Sequence, residues 1–251
     1  MNRIERSDKK IKELFGAIDK SAAASDPDFV TIQNHFIFGD VAYQGSLPDQ
    51  MRELIALVVL TTSQSLEAVA DHTRGALNIG VSPVEIKEAV YQCAPYIGFP
   101  KTAKALEKVN TVFLEKKISL PVESQQQVTE ETRFDEGLKV QKSIFGNIID
   151  QMHENAPANL KHIQDYLSAF CFGDIYTRSG LDLPSREILT LCILMTLGGC
   201  ESQVKAHIGG NLSVGNSRET LISVISQCVP YIGFPRTLNA LGCLNEVAPE
   251  K

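Results

Sequence analysis

The sequence has no C-x-x-C pair, no apolar run long enough to cross a bilayer, and no alternating apolar stretch bounded by hairpin turns. The longest apolar runs, "LIALVVL" and "ILTLCILMTL", fall far short of the roughly 20 residues that a transmembrane helix needs. The start, "MNRIERSDKK", carries charges where a secretory signal needs an apolar segment. These absences predict a cytoplasmic protein without a membrane span.

The cysteines also lack the close spacing of a metal site or a disulfide framework. Isolated cysteines of this kind are typical of reduced, mostly buried thiols in a cytosolic protein. We therefore expect no structural zinc site and no other bound metal. The six residues are Cys93, Cys171, Cys192, Cys200, Cys228 and Cys243.

Basic residues are in the minority, with 24 Lys and Arg against 30 Asp and Glu and a formal net charge of -6 at pH 7. Nucleic acids and anionic membrane surfaces are bound through basic patches, so we predict neither as a partner. Small neutral or acidic metabolites remain open as ligands. A length of 251 residues with 43% hydrophobic content suits one large domain or two small ones.

The sequence does contain a long internal repeat. The phrase "QCAPYIGFP" (92–100) returns as "QCVPYIGFP" (227–235), and 18 of the 41 positions in 72–112 are identical in 207–247. Unrelated sequences would match at roughly one position in sixteen, so the similarity marks a duplication. Further upstream, "LFGAI" (14–18) is echoed by "IFGNI" (144–148).

We predict two repeats, residues 1–120 and 132–251, joined by the polar, Gln-rich linker "PVESQQQVTEE" at 121–131. Both repeats are predicted to be helical. "RELIALVVL" and "REILTLCILM" are apolar nearly all round, which indicates a helix buried on most sides, although an inner strand has a similar composition. The flanking "VSPVEIKEAVYQC" and "NSRETLISVISQC" have helical start signals. The fold class is therefore all-α.

Each apolar helix carries a glutamate near its start, Glu53 or Glu187. A carboxylate in a first turn is favoured by the helix dipole, which is a sufficient structural explanation. A partly desolvated carboxylate is also a plausible proton carrier. His72 and His207 follow at 19 and 20 residues. A lone histidine is more often structural, but two equivalent Glu and His pairs favour proton transfer.

The second repeat has more reactive side chains than the first. "CESQVKAH" places Cys200, Gln203 and His207 at i, i+3 and i+7, on one face if the segment is helical. The first repeat has Ser65 and Ala68 at the equivalent positions of Cys200 and Gln203. In the repeated phrase, "PYIGFP" predicts a helix end and a turn. Tyr96 and Tyr231 within it are packing residues or pocket-lining residues.

These residues resemble the carboxymuconolactone decarboxylase family, which has the alkylhydroperoxidase D fold. The resemblance rests on "SREILTLCILMTLGGCESQVKAHIGGNLSVG" and "ISQCVPYIGFPRTLNALGCLNEV", and it extends over both halves. It implies tandem units of about six helices. Single-unit members form hexamers, which implies a homotrimer of this tandem chain, a ring of six repeats.

The resemblance also implies roles for individual residues. His207 would be the general acid and Glu187 its proton relay, with Cys200 and Gln203 as polar groups of the pocket. Arg178 or Arg186 would anchor a substrate carboxylate by bidentate contact. In the first repeat, the corresponding candidates are Arg52, Glu53 and His72. Tyr231, in the second copy of the repeated phrase, is a further candidate for substrate binding.

Three functions remain open at this point. The first is decarboxylation of a small carboxylated lactone of the 4-carboxymuconolactone type without a cofactor, because the conjugated lactone carbonyl accepts the electrons. The second is thiol-dependent peroxidase (peroxiredoxin-like) activity, which needs two cysteines where this chain has Cys200 and Gln203, or Ser65 and Ala68. The third is a non-enzymatic small-molecule binder, because a fold does not fix a function.

Overall fold

The computed structural model describes residues 1–16 and 25–250. Within that part of the chain every regular element is helical, which confirms the predicted all-α class. Ala17 and Ile18, the end of the echoed "LFGAI" segment, lie outside the described residues. None of the helices in the described ranges is long and apolar enough to cross a membrane.

The two repeats share most of their order of elements, although one long helix in the second repeat takes the place of three in the first. The helices of the first repeat are α1 (Arg3–Phe15), α2 (Pro27–Asn34), α3 (Asp49–Ser63), α4 (Leu66–Asn78), α5 (Pro83–Gln92), α6 (Ala94–Ile97) and α7 (Phe99–Glu115). A π-helical turn (His35–Asp40) and a 3-10 turn (Val41–Tyr43) lie between α2 and α3. The helices of the second repeat are α8 (Arg133–Phe145), α9 (Ile148–Asn155), α10 (Lys161–Tyr166), α11 (Leu183–Leu197), α12 (Glu201–Ser213) and α13 (Arg218–Val247). A π-helical segment (Leu167–Tyr176) lies between α10 and α11. Residues 122–129, within the predicted linker, have no regular element.

The apolar segments α3 and α11 form the centre of the molecule and pack against each other. Both are buried along nearly their whole length, and one continuous hydrophobic core joins the two repeats. This explains why neither segment shows a polar face in the sequence, since each helix has its own repeat on one side and the other repeat on the opposite side. The helical interpretation of these runs was correct.

The repeated phrase is a helix end, as its Gly and Pro residues predict. In the first copy, α5 stops at Gln92, the short α6 follows, and Gly98 adopts a positive φ of 84° before α7 begins. In the second copy, the helix runs through Pro230, and the chain bends instead at Gly233, where φ is 75°. The glycine therefore sets the turn in both copies, because it tolerates this backbone conformation without a steric penalty.

Reciprocal polar contacts also join the repeats. Arg52 at the start of α3 donates to Gln227 of the other repeat (2.7 Å), and Arg186 at the start of α11 donates to Gln92 (2.8 Å). All four side chains are buried. The interface is therefore part of the folded core of the chain, and each repeat supplies groups to the region around the other repeat's glutamate.

Candidate functional site

The glutamate of each apolar helix is hydrogen-bonded to the histidine of the next helix. His72 Nδ1 on α4 donates to Glu53 Oε2 on α3 at 2.8 Å, and His207 Nδ1 on α12 donates to Glu187 Oε2 on α11 at 2.9 Å. The two glutamates are buried, and the two imidazoles are nearly so. The paired spacing in the sequence thus corresponds to two equivalent carboxylate–imidazole pairs.

A glycine one turn after each histidine makes room for the carboxylate. A Cβ atom at Gly210 would lie 2.6 Å from Glu187 Oε2, and one at Gly75 would lie 3.1 Å from Glu53 Oε2. Such distances are at or below the limit of van der Waals contact, so a larger residue would displace the acid. This accounts for Gly75 in "HTRGALNIG" and Gly210 in "HIGGNLSVG".

Aromatic rings from both repeats enclose each imidazole. Phe15 packs edge-on against His72 at 5.8 Å between ring centroids, and Phe145 packs against His207 at 5.2 Å. The second ring comes from the other repeat, with Tyr231 at 5.8 Å from His72 and Tyr96 at 6.2 Å from His207. Each site is therefore composite, and it is incomplete without the other half of the chain.

The pKa of His72 differs from that of an ordinary histidine. Burial lowers its pKa, but the charge and the hydrogen bond of Glu53 together outweigh this, so the pKa of His72 is raised above 6.5. Burial and the nearby Glu53 charge raise the pKa of Tyr231 well above 10. The site thus holds a histidine whose protonated form is more favoured than in an ordinary imidazole, beside a phenol that keeps its proton at neutral pH.

The first site opens into a small pocket. Its apolar wall is Leu14, Ile37, Phe38 and Ala42, and its polar lining is Lys10, Asp49, Arg52, Glu53, Gln227 and Tyr231. The sequence interpretation missed Lys10, which lies outside both family-like patterns. It also missed Phe15, although "LFGAI" and "IFGNI" already placed a phenylalanine at the same position of each repeat.

The second site has a denser polar network. The hydroxyl of Tyr176 donates to Glu187 Oε1 at 2.7 Å and lies 2.7 Å from Thr190 Oγ1 and 3.3 Å from the Tyr96 hydroxyl. Burial, followed by the charge of Glu187, raises the pKa of Tyr176 well above 10, so it acts as a donor. Tyr176 was not among the predicted site residues, because the first repeat has Ala42 at this position and the repeat comparison gave no signal.

The three predicted carboxylate anchors have protein partners in this structure. Arg186 is fully buried and donates to Glu88, to Gln92 and to the carbonyl oxygen of Arg178. The Arg178 side chain donates to Glu88 at 2.9 Å. Arg52 donates to Gln227 and to the carbonyl oxygens of Val41, Gln44 and Leu47. These guanidinium groups therefore join segments of the chain.

The hydrogen bonds of the Cys200 and Gln203 side chains go to residues other than Glu187 and His207. The Cys200 thiol is half-buried, points to the carbonyl oxygen of Leu194 at 3.3 Å, and lines a different pocket together with Cys243. Burial, followed by the charges of Glu201 and Cys243, raises its pKa above 9. Gln203 is exposed and accepts from Ser202. A raised pKa disfavours the reactive thiolate that a peroxidase requires.

No cluster of three or more His, Cys, Asp or Glu side chains with metal-binding geometry occurs in residues 1–16 and 25–250. In each site the glutamate is hydrogen-bonded to an imidazole. A carboxylate–imidazole pair has the chemistry of a general acid or base.

A sequence model of the carboxymuconolactone decarboxylase family matches residues 27–110 and 161–246, which together make up more than half of the chain. The chain belongs to this family. The two matched regions lie in the two repeats, so it is a tandem member in which each region contains one glutamate–histidine pair.

Two relatives and one solved structure support this assignment. A 4-carboxymuconolactone decarboxylase from Acinetobacter baylyi is 28% identical over 131 residues, which is 49% of this chain and 97% of the relative. A nitrosuccinic acid decarboxylase from Metarhizium robertsii is 25% identical over 111 residues, 43% of this chain and 76% of the relative. A crystal structure from Burkholderia xenovorans, titled as a gamma-carboxymuconolactone decarboxylase subunit, matches with a TM-score of 0.57 and 21% identity. The match covers 97% of this chain and 96% of the chain in the crystal structure, and at this identity it shows the fold alone.

The glycine beside the carboxylate gives a direct test of the site in this family member. Gly210→Ala should destabilise the protein by about 1–3 kcal/mol, because the added methyl group overpacks the Glu187 carboxylate. The adjacent Gly209→Ala should be neutral or stabilising by about 0.5–1 kcal/mol, because a Cβ there meets nothing and glycine weakens a helix. Urea unfolding of both variants measures the difference, and equal stabilities would refute the predicted clash.

The raised pKa of His72 makes stability depend on pH. A group whose pKa is raised in the folded state stabilises fully below its unfolded pKa, about 6.5, and loses this contribution as the pH rises through the folded value. The difference in unfolding free energy between wild type and His72→Gln should therefore decrease from pH 6 upwards. Denaturant titrations at a series of pH values measure it. A difference that grows with pH would contradict the assigned direction.

Proposed function

We propose that the chain is a cofactor-independent carboxy-lyase that decarboxylates a small carboxylated lactone of the 4-carboxymuconolactone type. The observation that carries the proposal is the buried Glu53–His72 pair, whose carboxylate lines a small pocket with apolar and polar walls. The decarboxylase names of two relatives, both at modest identity, support the same reaction class.

The reaction sets the tasks of the protein. As the carbon–carbon bond to the carboxylate breaks, its electron pair moves into the conjugated lactone carbonyl and CO2 leaves. The protein must then stabilise the negative charge on the lactone oxygen and return one proton to carbon. A group that carries a proton and a neutral hydrogen-bond donor beside the same pocket supply both functions.

The carboxylate–imidazole pair is the proposed proton carrier. His72 holds the proton with a raised pKa, and Glu53, which faces the pocket, relays it to the substrate carbon. The phenol of Tyr231 keeps its proton at neutral pH and lies beside the same imidazole. It is the proposed donor to the developing lactone oxygen, a position in which an O–H group stabilises the transition state more than the ground state.

The same scheme in the second repeat would use His207, Glu187 and Tyr96. Arg178 and Arg186 are engaged with Glu88, so neither contacts a substrate carboxylate without first leaving that partner. For Cys200 and Gln203, the contacts described above favour roles outside the reacting centre.

We also propose that the chain assembles as a homotrimer, a ring of six repeats. Large apolar side chains are exposed at equivalent positions of both repeats, as expected where repeated units contact each other in a ring. The three equivalent pairs are Phe29 and Ile163, Ile32 and Tyr166, and Phe99 and Phe234.

Replacing both apolar residues that follow the repeated "YIG" with charges tests the assembly. Phe99→Glu combined with Phe234→Glu should lower the mass measured by sedimentation from a trimer to smaller species, because each charge would have to be desolvated in a contact. Leu114→Glu, at an exposed position without an equivalent in the second repeat, is the matched control. A monomeric wild type would contradict the proposal.

Removing both imidazoles tests the reaction. The double variant His72→Gln and His207→Gln should lose about 10²–10⁴-fold in CO2 release from carboxylated lactones, the usual range for losing a general acid. His162→Gln, at an exposed histidine on α10, is the control. Circular dichroism establishes that each variant is folded. Unchanged turnover by a folded double variant would refute the assignment, and peroxide consumption with a dithiol would favour the thiol chemistry instead.

A further inference from the structure

The pockets of the two repeats are built from equivalent positions, but four of these positions differ in chemistry. The glutamate, histidine, arginine, tyrosine and phenylalanine of the site occur in both repeats. The differing pairs, first repeat before second, are Ala42 and Tyr176, Lys10 and Val140, Asp49 and Leu183, and Ile37 and Cys171.

In the second repeat, Tyr176 occupies the space in front of the glutamate. Its ring is buried, and its hydroxyl donates to Glu187 Oε1, while His207 donates to Glu187 Oε2. Both oxygens of the carboxylate thus have protein donors. The hydroxyl also contacts Thr190, for which the first repeat has Ala56. Glu187 is fully buried, and Tyr176 and His207 stand where a ligand would have to approach its two oxygens.

The groove on the outer side of Tyr176 is separate from the Glu187 carboxylate. A surface groove in the second repeat is lined by Tyr176, Val140, Leu183 and Arg178, and neither Glu187 nor His207 takes part in its lining. In the first repeat, the small Ala42 takes the place of the tyrosine, and the pocket is lined directly by Glu53 and Tyr231. Among the described residues, the Glu53 carboxylate has one side-chain partner, His72.

The first pocket also contains a cation that the second lacks. The Lys10 ammonium contacts Asp49 at 2.5 Å and Glu13 at 3.3 Å, and an ammonium has three N–H donors. Arg52 lines the same pocket, but its donors are engaged with Gln227 and with backbone carbonyl oxygens. Lys10 is therefore the group suited to meet an anion in this pocket, where Val140 offers none.

We propose that the first repeat is the one that binds the small carboxylated substrate, with Lys10 meeting its carboxylate, and that Tyr176 closes the equivalent pocket of the second repeat. The inference rests on the proposed function for the substrate class. The Glu187–His207 pair then stabilises the core, and Tyr96 remains bonded within that network. The sequence had favoured the second repeat because of Cys200, but the side chains in front of the two glutamates favour the first.

Binding of a lactone that cannot react tests the proposal separately from turnover. The probe is 5-oxotetrahydrofuran-2-carboxylate, which carries a carboxylate and a lactone but no conjugated electron sink. The protein has five histidines, whose carbon-labelled imidazole signals can be assigned by single substitutions. In wild type, the probe should shift the His72 signal and leave the His207 signal in place.

Substituting the residue in front of each glutamate should change which histidine signal the probe shifts. Ala42→Tyr should weaken the probe's effect on His72 about tenfold or more, the equivalent of about 1.4 kcal/mol. Ala42→Ser, which adds one atom without filling the pocket, should retain it. Tyr176→Ala combined with Val140→Lys, which opens the second pocket and supplies its missing cation, should create a probe-dependent shift at His207, and this gain does not depend on the stability of the Ala42→Tyr variant.

A probe-induced shift of His207 in wild type, or of neither imidazole, would overturn the proposal. A selective shift of His72 supports it even if no carboxylated lactone releases CO2. In that case the reaction proposed above fails, and the assignment of the binding site stands.

Discussion

A carboxylate inside a helix that is buried on all sides is the constraint on which the rest of the structure depends. An unpaired charge there would cost several kcal/mol, so each glutamate must have a partner. The histidine of the following helix supplies it, at 2.8 Å in one repeat and 2.9 Å in the other. The glycine one turn later allows the close approach, and aromatic rings from both repeats exclude water. The pair is therefore a product of the packing of the core and also the group best placed to handle a proton.

Much of this arrangement could be predicted from the sequence because it depends on local pattern. The unbroken apolar character of the central helices indicates burial on both sides, and the duplicated phrase indicates two equivalent units. The similar spacing of Glu53 and Glu187 from their histidines, 19 and 20 residues, predicted the pairs. The turn in "PYIGFP" followed from its Gly and Pro, although Gly233 rather than Pro230 bends the chain in the second copy.

The rest depends on contacts between distant segments, which a pattern along the chain does not specify. Arg186 stands in the first turn of a helix, where arginines are usually exposed, and the docking of the other repeat buries it against Glu88 and Gln92. Tyr231 completes the site of the opposite repeat for the same reason. The difference between Ala42 and Tyr176 is visible in the sequence, but its meaning requires the position of the hydroxyl beside Glu187.

The central claim is that, in each pair, the histidine carries a proton on Nδ1 and donates it in a hydrogen bond to the buried glutamate carboxylate. Nitrogen NMR of the labelled histidine side chains tests it most directly, because Nδ1 and Nε2 have distinct signals for each tautomer. The account predicts an Nδ1–H proton on both His72 and His207, slow to exchange with water, that is lost at His72 in Glu53→Leu and at His207 in Glu187→Leu, because leucine offers no acceptor. A fast-exchanging Nε2–H tautomer on both imidazoles, indifferent to these substitutions, would contradict it.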